Sequence, residues 1–187
     1  TQAMETTPNW FISDTHLGHD RILFYEPIRK AWCQDVAEMD ERIVAEWNAR
    51  VQPDDWVLHC GDFSFGPKET IAGFRRRLNG KILLVVGNHD RSPKVMAGVG
   101  MDVAVTRCEF TVGGRRYVAR HNPASFTVEE AERADVLLHG HLHSNPISTL
   151  IDPRVRERCV CLSLERLPAT PAPVSWGELT RLLPKAE

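Results

Sequence analysis

Lys81-Ile82-Leu83-Leu84-Val85-Val86-Gly87-Asn88-His89-Asp90 is the stretch on which the reading of this chain turns. An Ile/Leu/Val run bounded by a lysine and a glycine predicts a short buried strand, and the four residues after it fall just past the strand's C-terminal end. Gly87 permits a sharp turn and a close backbone approach that a side chain would obstruct. Asn88, His89 and Asp90 then offer an amide oxygen, an imidazole and a carboxylate, the groups that bind divalent metals or move protons. Taken alone, Asn-His-Asp reads more readily as a turn with a solvated histidine.

The same arrangement recurs. Trp10-Phe11-Ile12-Ser13 precedes Asp14-Thr15-His16, Asp55-Trp56-Val57-Leu58-His59-Cys60 precedes Gly61-Asp62, and Asp135-Val136-Leu137-Leu138-His139 precedes Gly140-His141-Leu142-His143. Residues 109–121 read as two strands joined by Gly113-Gly114, a favoured hairpin turn, and end on His121. All eight histidines lie in or beside these five clusters, which is the distribution of a metal site. Carboxylate, amide and imidazole donors together suit Mn, Fe, Zn or Co better than thiolate-seeking metals or all-oxygen Ca sites. In layered α/β proteins the C-terminal edge of the strands is where such sites are assembled. His59 and His139 lie inside apolar runs and are expected to be hydrogen-bonded core histidines.

In the order Asp-x-His, Gly-Asp, Gly-Asn-His-Asp, His and Gly-His-x-His, the chain resembles the calcineurin-like metallophosphoesterases over residues 9–183, and among them the small cap-less bacterial and phage type. The resemblance implies an α/β fold, a four-layer α/β/β/α sandwich of two mixed sheets flanked by helices. It also implies two divalent ions, with Mn²⁺ the first expectation and Fe, Zn, Co or Ni as alternatives. Asp62 is implied as the bridge between them, Asp14, His16 and His143 as the rest of one site, and Asn88, His121 and His141 as the rest of the other. His121 departs from the common pattern: Arg120 precedes it and Asn122-Pro123 follows, so a hairpin-end histidine stays open as its alternative.

The activity so implied is hydrolysis of small or nucleotide-derived phosphodiesters, such as cyclic nucleotides, by a metal-activated water. His89 is implied as the group that touches the scissile phosphate and protonates the leaving oxygen, with Asp90 or Asp14 orienting its ring. Imidazole titrates near neutrality and suits that work. Phosphomonoesterase, nuclease and catalytically inactive protein-binding scaffold are the alternatives known for such a domain.

Two flanking segments are candidate walls for the substrate. Residues 19–32 mix cations with aromatics, including His19, Arg21, Tyr25, Arg29, Lys30 and Trp32, as a nucleotide site would. Residues 144–158, with Asn145, Arg154, Arg156 and Arg158, form a second candidate rim. Elsewhere, Val36, Met39, Ile43, Val44 and Trp47 recur at helical spacing within residues 35–50. Pro67 opens a helix ending near Leu78, whose Arg75-Arg76-Arg77 is expected on an exposed face, and Ser175 with Glu178 forms a capping-box pattern.

A length of 187 residues suits one domain, expected over residues 4–187, with Thr1-Gln2-Ala3 before Met4 as a cloning remnant outside the fold. The net charge of −2 gives no global case for nucleic-acid binding, so the expected partner is a small-molecule or nucleotide phosphoester, a local nucleic-acid groove remaining open. No apolar run approaches the roughly 18–20 residues needed to cross a bilayer, and no basic-then-apolar leader is visible. Five cysteines, odd in number and without Cys-x-x-Cys, argue against a disulfide framework and for a cytoplasmic setting.

Overall fold

Ile82, Leu83, Leu84 and Val85 are all essentially buried, as a central strand covered on both faces must be. The computed structural model describes residues 2–3, 7–168 and 171–184. Its strands are β1 (Gln2–Ala3), β2 (Trp10–Ile12), β3 (Trp56–His59), β4 (Lys81–Val85), β5 (Val103–Val105), β6 (Cys108–Val112), β7 (Arg115–Ala119), β8 (Val136–His139), β9 (Cys159–Cys161) and β10 (Val174–Ser175). They form two five-stranded sheets, ordered β10-β2-β3-β4-β5 and β1-β6-β7-β8-β9. Both are mixed: β10 runs antiparallel to β2 and β6 antiparallel to β7, while the remaining pairs are parallel.

The sheets pack face to face over Phe11, Leu58, Leu83, Leu138 and Val160, all in one apolar cluster, while Ile82 and Leu84 share the His59 face that α2 covers. A smaller cluster on the outer side of the second sheet joins Val118 and Leu137 to Phe126, Ala131 and Val155. The sheets also meet at one edge, where Ser13 and Ser163, each just past its strand, make a parallel bridge. Leu164 N donates to Ser13 O there at 3.1 Å. The loops that follow β2 and β9 are thereby held side by side.

Helix α1 (Ile22–Tyr25) is short, and α2 (Val36–Arg50) is the long one expected from its periodicity. Asp35 caps α2 by accepting from Glu38 N at 2.8 Å, and Met39, Ile43, Val44 and Trp47 are buried. Trp47 stacks over His59, with ring centroids 6.5 Å apart, which places α2 against the first sheet. Asp40 shares that buried face and accepts from Gly18 N through both oxygens, at 3.0 and 3.1 Å. Burial pushes its carboxyl up to about 6. That contact ties α2 to the loop after β2, a pairing no local pattern announces.

Helix α3 (Lys68–Arg77) ends where expected, but one of its arginines does not behave as a solvated residue. Arg75 donates to the carbonyls of Leu78, Gly80 and Gly100 and to Asp102, strapping three chain segments together. Arg76 and Arg77 are exposed. After α4 (Pro93–Gly98), the β6–β7 hairpin turns through Gly113 and Gly114 at φ 58° and 80°, the left-handed pair a two-residue turn requires. Helices α5 (Val128–Arg133) and α6 (Pro153–Arg156) cover the second sheet, completing the α/β/β/α layering, and α7 (Trp176–Leu179) carries the Ser175–Glu178 capping box. Gln2–Ala3 pair in parallel with Cys108 and Glu109 at the edge of the second sheet. All five cysteines are unpaired, and no helix among the described residues is long and apolar enough to cross a membrane.

Candidate metal centre

Each polar cluster lies in the loop beyond the C-terminal end of a strand: Asp14 and His16 after β2, Asp62 after β3, Asn88 after β4, His121 after β7, His141 and His143 after β8. Five of these seven residues, Asp14, His16, Asp62, His141 and His143, have positive φ, between 50° and 70°. Left-handed backbone at residues other than glycine is strained and clusters at functional sites. Among the described residues these five are the only non-glycine residues with positive φ.

The donors converge. One group whose ligand atoms all lie within 4.8 Å of one another is Asp14, His16 and His143, and a second is Asp14, Asp62 and His121. Asp62 Oδ2 lies 3.6 Å from His16 Nε2 and 3.3 Å from His121 Nε2, between histidines of the two groups. Asn88 Oδ1 lies 3.0 Å from His121 Nε2 and 2.9 Å from His141 Nδ1. Asp14, His16, Asp62 and His121 are buried, His141 and His143 half-buried, and Asn88 and His89 exposed at the mouth.

Burial would raise both carboxyls, but the surrounding imidazoles hold Asp14 and Asp62 well below the usual carboxylate range. Burial likewise opposes a charge on His121, yet Asp62 and Asp14 push it up to about 9. The cluster therefore favours positive charge between these carboxylates, which protons or a metal can supply. His16 Nε2 is buried and, among the described residues, lacks a hydrogen-bond partner. A buried imidazole nitrogen facing two ionised carboxylates and bonded to nothing suits a metal ligand. The mixed oxygen and nitrogen donor set fits a pair of divalent ions.

Packing and a shell of hydrogen bonds fix these groups. A Cβ on Gly87 would fall on the Asp62 carboxylate, and one on Gly140 would fall on Asp14 and Ser13. His121 Nδ1 lies 2.7 Å from Cys60 O, so it carries the proton and turns Nε2 toward Asp62. Asp14 accepts from His141 N at 3.0 Å and from Ser163 Oγ at 2.8 Å. His59, buried and neutral, spans the first two loops: its Nδ1 accepts from Gly61 N at 3.1 Å and its Nε2 lies 3.0 Å from Thr15 Oγ1.

His143 Nδ1 lies 3.1 Å from Glu165 Oε1, the carboxylate–histidine arrangement common behind metal ligands. The same oxygen accepts from Arg29 Nε at 2.6 Å. Arg29 is fully buried and donates to Thr15 O at 3.0 Å and Asp14 O at 2.6 Å. It is therefore an internal brace, not a wall of the substrate cleft. Glu165→Gln keeps an acceptor of the same size but removes the charge behind His143. It is expected to weaken metal binding about 10- to 100-fold, read by titrating Mn²⁺ into chelator-treated protein.

Asp90, directly after His89, turns toward backbone amides. Its carboxylate accepts from Asp62 N at 2.8 Å, Gly87 N at 2.8 Å and Phe63 N at 2.9 Å. It ties the loops after β3 and β4 together, while the oxygens of Asp14 accept from His141 N and Ser163 Oγ. The segment at residues 19–32 divides. His19 stacks on Phe65 at 3.8 Å, with its Nδ1 3.1 Å from His16 Nδ1, so it touches a candidate ligand from behind. Arg21 lies over the rings of Tyr25 and Phe24, at 5.4 and 5.7 Å, in an exposed patch. Trp32 packs partly into the core.

Residues 10–156 match the domain of the calcineurin-like phosphoesterase superfamily. An uncharacterised protein of Methanocaldococcus jannaschii is 25% identical over 183 residues, covering 95% of this chain and 92% of that protein. The Gene 66 protein of a Mycobacterium phage is 36% identical over 84 residues, 43% of this chain and 39% of that protein. A crystal structure of a protein of unknown function from Aquifex aeolicus superposes with a TM-score of 0.71 at 26% identity, covering 93% of this chain and 98% of the other. With a match across most of its length, two mixed sheets between helices and a buried cluster of histidines and aspartates at the strand ends, the chain belongs to the calcineurin-like phosphoesterase superfamily.

Proposed function

We propose that the protein is a metal-dependent phosphodiesterase acting on small, nucleotide-derived diesters. The observation that carries this reading is the placement of His89. Its backbone N–H donates to Asp62 Oδ1 at 2.9 Å. Its exposed ring stands at the mouth of the cluster, 5.7 Å from the His16 ring and 5.0 Å from Phe65. An imidazole so placed is free to meet a phosphoester lying against the centre. Asp14, His16 and His143 would hold one ion, Asn88, His121 and His141 the other, and Asp62 both. Bound there, the ions would polarise the phosphoryl oxygens and activate water for in-line attack.

The chain supplies the rest. His89 delivers a proton to the departing oxygen, which an alkoxide or ribose leaving group needs and a good leaving group does not. Asp90 holds the loops that carry Asp62 and Asn88 in mutual register, and the Arg29–Glu165 pair holds those that carry Asp14 and His143. A nucleotide is favoured by the row of rings that leads away from His89. Phe65 is followed by His19, stacked on it, then Tyr25 at 6.0 Å from His19 with Arg21 over it. Tyr25 is 54% exposed and Phe24 70% exposed, open for a base to stack.

Mn²⁺-loaded protein is expected to hydrolyse 2′,3′-cyclic nucleotides and to lose that activity on chelation. Inactivity on linear and cyclic diesters, with monoesters hydrolysed instead, would refute the diesterase reading. Tyr25→Ala should raise KM for the nucleotide about ten-fold and leave kcat nearly unchanged, since base stacking contributes roughly 1–3 kcal/mol. Equal kinetics for the variant and the wild type would return this row to an ordinary surface.

A further inference from the structure

We propose that the cavity behind the His141–His143 loop is a binding site for a small oxyanion, of the size of phosphate or sulfate, and that its occupant steadies the metal-binding loop. The cavity measures about 150 Å³ and is lined by Arg156, Arg166, His139, Cys159, Cys161 and Leu142, among others, with no carboxylate in its wall. It lies on the outer side of the second sheet, beside β8 and β9 and under α6. Leu142 faces it from between the two histidines of the opposite side.

Arg156 Nε is buried and has no acceptor among the described residues. A buried, charged N–H without a partner is costly, and native structures nearly always meet such a donor with an acceptor or an ion. Arg166 shares the cavity and reaches the loop itself, donating through Nε to His143 O at 2.7 Å and through Nη2 to Asn145 O. Asp152, the N-cap of α6, acts on Arg156 from outside the cavity, and inside it two guanidinium groups with no carboxylate among the described lining residues are a fork suited to a tetrahedral oxyanion. A cation is disfavoured by the same charges. The donors of Cys159, Cys161 and His139 also form no converging ligand group, although the cavity brings all three to one wall.

The coupling follows from Arg166: an anion that fixes its guanidinium also fixes the carbonyl of His143. Sulfate is the probe, because it is not a phosphoester and cannot be turned over. Titrated into chelator-treated protein, where the front cluster carries ionised carboxylates, sulfate should bind saturably. Arg156→Met, which keeps the apolar stem, should weaken that binding about ten-fold or more, and Arg156→Lys should weaken it less. In the wild type, sulfate should raise the apparent affinity for Mn²⁺, and by reciprocity Mn²⁺ should raise that for sulfate; in Arg156→Met neither effect should remain. A parallel titration with a nucleoside monophosphate separates a free anion from the phosphoryl end of a larger molecule, since only the former fits wholly inside. Crystals soaked in selenate should show selenium between Arg156 and Arg166. Selenium only at the front cluster, or unchanged sulfate binding in a folded Arg156→Met variant, would overturn the site. Sulfate binding with unaltered Mn²⁺ affinity would overturn the coupling.

Discussion

Asp62→Ala is expected to release both ions at once, whereas His141→Ala or His143→Ala should mainly weaken one. Asp62 Oδ2 stands 3.6 Å from His16 Nε2 and 3.3 Å from His121 Nε2, so one side chain faces the donors of both groups. Substituting groups that merely orient a ligand commonly costs about 10- to 100-fold in metal affinity. Loss of a carboxylate that contacts both ions should exceed that range, and hydrolysis should fall to the level of chelated enzyme. Metal content per chain, measured after dialysis at matched free Mn²⁺, is the readout. Two ions retained in Asp62→Ala would defeat the bridging assignment, whatever happened to the rate. Gly87→Ala offers an independent route to the same state, because its added methyl group would occupy the place of the Asp62 carboxylate.

His89→Gln should behave in the opposite way, keeping its metals and losing turnover selectively. The ring is exposed and makes no side-chain hydrogen bond to any of the metal-ligand candidates, while its backbone N–H, which the substitution preserves, is what touches Asp62. If the imidazole protonates the leaving oxygen, diesters with poor leaving groups should slow by about 10² to 10⁴. p-Nitrophenyl phosphate leaves without a proton and should be affected far less. The measurement is kcat/KM for a 2′,3′-cyclic nucleotide and for p-nitrophenyl phosphate in both proteins, with bound metal quantified in each. An equal fall on both substrates with metals intact would make His89 a phosphate contact and remove the main reason for preferring diesters.

What could be read before the structure was what is local. Strand ends, the ligand types just beyond them and the helix at residues 36–50 depend on periodicity and turn chemistry within a few residues. Asp14, His16, Asp62, Asn88, His121, His141 and His143 were therefore visible as one set, and the structure brings them together. What stayed hidden depends on contacts distant in sequence. The Arg29–Glu165 pair spans 136 positions, and nothing near Arg29 distinguishes it from the exposed cations around it. Asp90 sits beside His89 in sequence but spends its oxygens on backbone amides, two of them 27 and 28 residues away. Arg75 looked like part of a solvated triplet because the carbonyls it straps belong to turns whose positions only the fold defines.

The left-handed backbone at Asp14, His16, Asp62, His141 and His143 bears on how this chain can change over evolutionary time. At about 1–2 kcal/mol per residue, five such positions together approach the net stability of an ordinary domain, about 5–15 kcal/mol. Alanine there would surrender a ligand and keep the strain; glycine would surrender the ligand and relieve it. Selection for stability alone would thus pull these positions toward glycine, and aspartate and histidine there are what a working metal centre would require. A lineage of this fold that abandoned catalysis should record the event as glycines in place of its aspartates and histidines, well before its strands or helices showed any change.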